Sequence, residues 1–132
     1  MKSKLIILGS GCSTGVPRID GYWGNCSNKK KNIRTRCSAI LLKDKSSILI
    51  DTSPDIKEQL LSNKITDITA ILYTHEHSDQ TSGLFELRPF YWKNKKKINI
   101  YGNRQTIKFP RSKFDFCFKK KTYYEPIVKS NI

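Results

Sequence analysis

The stretch Tyr73-Thr74-His75-Glu76-His77-Ser78-Asp79-Gln80 constrains this chain more than any other, because it joins a short apolar run, Ala70-Ile71-Leu72, to a set of metal-ligand side chains. Both histidines of the chain sit in it, two positions apart. In an extended segment residues i and i+2 leave on the same side, so the two imidazoles can converge on one ion, and Asp79 adds an anionic ligand to that face. A polar run leaving a strand becomes an exposed loop at the strand's C-terminal edge, where sheet proteins commonly place their chemistry. Taken alone, His-x-His reads better as a solvated polar loop, so the context has to decide.

Three further segments supply that context: Gly9-Ser10-Gly11-Cys12-Ser13-Thr14-Gly15-Val16-Pro17-Arg18, Ile50-Asp51-Thr52-Ser53-Pro54-Asp55 and Gly83-Leu84-Phe85-Glu86-Leu87-Arg88-Pro89-Phe90. With the histidine stretch, which resembles the signature His-x-His-x-Asp-His, they resemble in order the metallo-β-lactamase-fold hydrolases. Within these, the chain is similar to the branch of phosphoribosyl cyclic phosphate phosphodiesterases, relatives of the tRNA 3′-processing ribonucleases. The resemblance implies an α/β chain forming the N-terminal half of a four-layered αββα sandwich. It also implies metal-dependent hydrolysis of a phosphodiester, a cyclic phosphate or an RNA end, by a hydroxide held between paired divalent ions, zinc or manganese.

Mapped onto this sequence, the resemblance makes His75 and His77 ligands of the first metal and Asp79, the catalytic carboxylate, a ligand of the second. Gln80 stands where the second metal expects an imidazole. Arg88 corresponds to a position that can hold substrate phosphate bidentately, with a surface salt bridge as the equally open alternative. Asp51 corresponds to a carboxylate that hydrogen-bonds near the metal loop and orients it; on physics alone, capping of the next turn serves as well. Two departures follow. A neutral amide at Gln80 is a poorer zinc ligand than imidazole and favours harder ions. Family members are longer, and their remaining ligands fall beyond Ile132, so the expectation is a truncated, impaired site with weak or incomplete metal binding. The competing expectations are a degenerate non-catalytic remnant and a basic nucleic-acid-binding module.

A length of 132 residues fits one domain, 1–132, with a modest core, and 37% hydrophobic residues is low for the task. No stretch approaches the ~20 apolar residues of a membrane span, and Lys4-Leu5-Ile6-Ile7-Leu8 is too short for a secretory leader. A cytoplasmic protein is expected. Its four cysteines should then be free thiols, with Cys12 and Cys117 as small buried hydrophobes and a zinc site from Cys26 and Cys37 only a weak proposal. The net charge of +14 invites a phosphate-bearing partner, although the runs Lys29-Lys30-Lys31, Lys95-Lys96-Lys97 and Lys119-Lys120-Lys121 are also what solvated loops contain.

Periodicity and turn residues predict strands at 4–8, 37–42, 47–51, 68–73 and 98–101. Gly9-Ser10-Gly11 resembles a phosphate-binding turn or is a plain tight one. Residues 16–36 read as a long loop, pinned by Tyr22 and Trp23, that could close over a substrate. Ser53-Pro54-Asp55 should open a helix running to about Ser62, and 83–92 should form a short helix that Pro89 kinks or ends. Phe114 to Phe118 alternates like a strand, and Tyr123 to Val128 begins another edge segment. Strands with helices on one face only leave the other face bare, so self-association or a complementary C-terminal fragment is expected.

Overall fold

The computed structural model describes residues 3–26 and 30–132; Lys29 of the first lysine run lies outside them. Its centre is one six-stranded sheet in the spatial order of the chain: β1 (Ser3–Gly9), β2 (Ser38–Lys43), β3 (Ser46–Ile50), β4 (Ala70–Leu72), β5 (Ile98–Tyr101) and β6 (Val128–Asn131). The first three strands are antiparallel neighbours, and β2 and β3 are joined by a tight turn in which Asp44 takes φ +53°. From β3 to β6 all pairings are parallel, which requires crossovers. These contain α1 (Ile56–Ser62), α2 (Ser78–Thr81), α3 (Arg88–Asn94), α4 (Arg104–Lys113) and α5 (Asp115–Phe118).

Strand register sorts the side chains onto two faces. Leu8, Ile40, Leu49, Ile71, Ile98, Ile100 and Val128 are buried, and they share one core with Ile56 and Leu60 of α1, Ile107 of α4 and Cys117 of α5. The opposite face, paired Leu5 with Leu41, Ile7 with Ala39, Ile48 with Ala70 and Ile50 with Leu72, carries no covering element among the described residues. Leu5 is 59% exposed and Ile7 62%. Residues after Arg104 do not fold over it: α4 and α5 join the helical side, and β6 lengthens the sheet.

Several expectations change on inspection. Phe114 to Phe118 is a helical turn rather than a strand; Phe114 and Phe116 meet edge to face at 6.3 Å, and Phe116 meets Phe85 at 5.3 Å, so the alternation served a ring cluster. Pro89 falls in the first turn of α3, where its missing N–H costs nothing, and a 3₁₀ segment (Ser82–Leu87) precedes it. The sequence pattern placed no element at 104–113, where α4 forms with Pro110 inside it; Asn103 caps it by accepting from Thr106 N at 2.8 Å. Gly9 and Gly11 keep negative φ. They are small because residues 34–36, which lead into β2, pass close: a Cβ on Gly11 would lie 2.7 Å from Thr35 O, and one on Gly9 would overlap Arg36 O. Tyr22 is exposed, under the Arg18 guanidinium at 4.8 Å.

Cys117 is buried as expected, but Cys12 is exposed. A hydrogen bond with the Thr14 hydroxyl at 3.3 Å lowers the Cys12 pKa, whereas burial pushes that of Cys117 up to about 12. Iodoacetamide should therefore modify Cys12 before Cys37 and leave Cys117 untouched until the chain unfolds, as peptide mapping of partially alkylated protein will show. The two faces should also differ in energy. Ile71→Ala on the covered face should cost about 2–5 kcal/mol in urea unfolding, and Leu72→Ala, next to it on the bare face, about 1 kcal/mol or less.

Candidate metal centre

The histidine loop is built where β3 and β4 end side by side. Their register pairs Ile50 with Leu72, and one step on Asp51 N donates to Leu72 O at 3.0 Å. Asp51 then takes φ +59°, a left-handed conformation that aspartate tolerates better than most residues. The turn carries its carboxylate across to the neighbouring strand end. Asp51 is 4% exposed, and both its oxygens are used: Oδ1 accepts from Thr74 N at 2.8 Å and Oδ2 from the Thr74 hydroxyl at 2.7 Å. Burial raises the Asp51 pKa, with the two hydrogen bonds from Thr74 opposing that shift. Leaving either buried oxygen without a donor would cost about 1–3 kcal/mol.

A second set of contacts fixes the far side of the loop. Thr52, fully buried, holds Gln80 O through its backbone N–H at 2.6 Å, and its hydroxyl lies 2.8 Å from the buried Tyr73 hydroxyl. Burial drives the Tyr73 pKa well above the usual phenol range, so it stays neutral. His77 O receives Gln80 N at 3.0 Å and the Thr81 hydroxyl at 3.0 Å, which starts α2. Gln105 on α4 donates to Glu76 at 2.8 Å. Gly83 follows because a Cβ there would overlap Ser53 O and meet Ile56 Cγ2 at 2.7 Å.

The rings of His75 and His77 lie 4.6 Å apart between centroids, at 74° to each other. His75 Nδ1 is 2.9 Å from Thr74 Oγ1. Asp79 and Gln80 face each other instead: Gln80 Nε2 donates to Asp79 Oδ2 at 2.9 Å, while Gln80 Oε1 is buried with no partner among the described residues. Arg88 is engaged elsewhere. Its Nε donates to Phe85 O at 3.1 Å, and its guanidinium lies 3.3 Å from the Phe85 ring centroid and 5.3 Å from that of Trp92.

The structure therefore brings together two imidazoles and, separately, a carboxylate with an amide. Among the described residues no three His, Cys, Asp or Glu side chains form a group able to hold a metal ion. Two adjacent imidazoles fit one side of a divalent ion. The donor set does not fit a closed site for paired ions. Sequence reasoning passed over Thr74, Thr52, Tyr73 and Gln105; the hydroxyl directly before the first histidine was the one readable signal among them.

A family model described as the β-lactamase superfamily domain matches residues 46–131. The chain belongs to this family. It is similar to the crystal structure of a diphosphatase from the PhnP family, with a TM-score of 0.86 and 33% identity, covering 99% of this chain and 50% of that one. It also resembles Zn(2+)-bound PqqB from Methylobacterium extorquens in fold, with a TM-score of 0.68 and 21% identity, over 98% of this chain and 45% of that one. A curated relative, an octanoyltransferase of Porphyromonas gingivalis (strain ATCC BAA-308 / W83), is 36% identical over 122 residues, which is 91% of this chain and 24% of that protein. The chain thus spans about half of the similar solved structures and about a quarter of the curated relative. Its mixed sheet with helices is the α/β arrangement of these metallo-β-lactamase-fold neighbours.

Replacing Asp51 by Ala should strip Thr74 of its acceptors. The expected loss is about 1–3 kcal/mol of stability, with faster hydrogen exchange at the Thr74 amide while the amides of β2 keep their protection.

Proposed function

We propose that residues 1–132 carry the front half of a metal-dependent phosphodiester hydrolase site, able to take one divalent ion, zinc or manganese, through His75 and His77. The observation that carries this reading is the pair of adjacent imidazoles at the C-terminal edge of the parallel strands, on a loop tied down by Asp51. The 33% identity to a diphosphatase supports a phosphate-ester substrate, and a net charge of +14 suits an anionic one, a small phosphodiester or an RNA end. When bound, such an ion supplies an ionised water and polarises a phosphoryl oxygen. Asp79 would be the carboxylate ligand of a second ion, with the neutral Gln80 beside it, so that second position is weak. Arg88, in this reading, must leave the Phe85 carbonyl before it can reach a phosphate.

The hydrogen bond from Gln80 to Asp79 favours a second reading, a degenerate non-catalytic remnant, because it satisfies the carboxylate with an amide in place of a cation. Under either reading the apolar sheet face calls for cover, by a complementary C-terminal fragment or by self-association. A cytoplasmic location belongs to the same proposal; among the described residues no helix is long and apolar enough to cross a membrane.

Metal analysis after dialysis should find at most one tightly held divalent ion per chain, lost in His77→Ala. Two tightly held ions would overturn the proposal. The isolated chain should show no appreciable turnover of an aryl phosphodiester with zinc or manganese; robust turnover that disappears in His77→Ala would mean the site is complete. Gln80→His should raise activity only where the rest of the fold is supplied, since both deficits act on one site.

A further inference from the structure

Thr74 touches two groups with one hydroxyl proton. Its Oγ1 lies 2.7 Å from Asp51 Oδ2 and 2.9 Å from His75 Nδ1. An ionised carboxylate only accepts, and Asp51 cannot turn away because its other oxygen is held by Thr74 N at 2.8 Å. If the hydroxyl pointed at His75, lone pairs of Oγ1 and Oδ2 would face each other at 2.7 Å in a partly buried place. The hydroxyl therefore donates to Asp51, and a lone pair of Oγ1 is left for His75. That lone pair is useful only to a protonated Nδ1. In a neutral ring with its proton on Nδ1, the nitrogen with a free pair is Nε2.

We propose that Thr74 is a positioning residue that sets the tautomer of His75: by giving its proton to Asp51 and accepting from His75 Nδ1–H, it leaves Nε2 as the nitrogen available to a divalent cation. The inference rests on the metal-site reading for its purpose but not for its geometry, which is present in the metal-free chain. It assigns Asp51 a chemical task beyond holding the loop. A hydroxyl between carboxylate and imidazole inverts the message as well as passing it on, because whichever partner takes its proton decides what the other must supply.

That inversion gives the test. The chain has two histidines, so nitrogen-15 NMR of histidine-labelled, metal-free protein at about pH 8.5, above the usual imidazole range, resolves two rings. His77, whose ring takes no part in the hydrogen bonds that link Asp51, Thr74 and His75, is the internal reference. His75 should hold its proton on Nδ1 by roughly tenfold or more over Nε2, the ratio that about 1.4 kcal/mol sets. Asp51→Asn keeps the shape and tolerates the left-handed backbone. Its amide oxygen can keep Thr74 N–H, so its NH₂ faces the hydroxyl, which must then donate to His75 and move the ring proton to Nε2. Thr74→Ser should retain the Nδ1–H form and Thr74→Val should lose it, with His77 unmoved in all three. A wild-type His75 protonated on Nε2, or an Asp51→Asn or Thr74→Val spectrum unchanged at His75, would overturn the proposal. Titration with zinc reads the other half separately: an Nδ1–H ring in a chain that takes no zinc removes the metal site and leaves the tautomer assignment standing. Wild-type protein alone decides the assignment if a variant does not fold.

Discussion

The candidate site depends on the parallel register of β3 and β4. Pairing Ile50 with Leu72 brings two strand ends to one level, so the residues that follow, Asp51 and Thr74, meet across a single step. A slip of one residue would turn every side chain of β4 to the opposite face, exposing Ile71 and burying Leu72. The register is held by that difference, since Ile71 is fully buried and Leu72 is 40% exposed. Core packing in the sheet thus sets the position of a polar contact at its edge. The left-handed turn at Asp51 is tolerated because the carboxylate it delivers finds two donors.

The sheet is unequal in its two faces, and this governs how stable the site can be. One side buries Ile40, Leu49, Ile71 and Ile100 completely under helices. The other presents leucines and isoleucines to water across β1 to β4, with polar or charged Asn99, Lys129 and Asn131 on β5 and β6. Apolar area left in water contributes nothing at ~25 cal/mol per Å². The burial that a second covered face would add is absent from these residues, and the solved diphosphatase it resembles is about twice as long.

Much of the fold was legible because hydrophobic period and turn residues are local signals. Five strands could be placed from apolar runs bounded by glycine, aspartate or lysine, and the bare face followed from having helices to cover only one side. The failures have physical causes. Phe114 and Phe116 alternate because their rings meet each other and Phe116 also meets Phe85, a partner that no local window of sequence contains. Helix α4 was missed because few apolar residues mark it, and its Asn103 cap and buried Thr106 and Ile107 accommodate Pro110 inside it. At the site, the two histidines and Asp79 were legible by spacing, but what each does with its hydrogen bonds was not. Thr74 belongs to a different strand end from Asp51, and only parallel pairing reveals the contact.

The two sides of the histidine loop are prepared to different degrees. On the His75 side every polar atom in the chain from Asp51 through Thr74 to Nδ1 has a partner, so the ring is oriented before anything binds. Such preparation removes ordering cost from a later binding step. On the Asp79 side the carboxylate is bound to a neutral amide whose own oxygen is buried and has no partner among the described residues. A cation arriving there would compete with Gln80 Nε2 for Asp79 Oδ2, and an amide displaced from that oxygen would give up the one side-chain hydrogen bond it makes among the described residues. An imidazole at position 80 would not impose that loss, because a ring nitrogen that binds an ion is itself satisfied by it. Gln80 is therefore more than a neutral neighbour. It installs a competing donor for Asp79, and it makes the two halves of one short loop unequal in their readiness for charge.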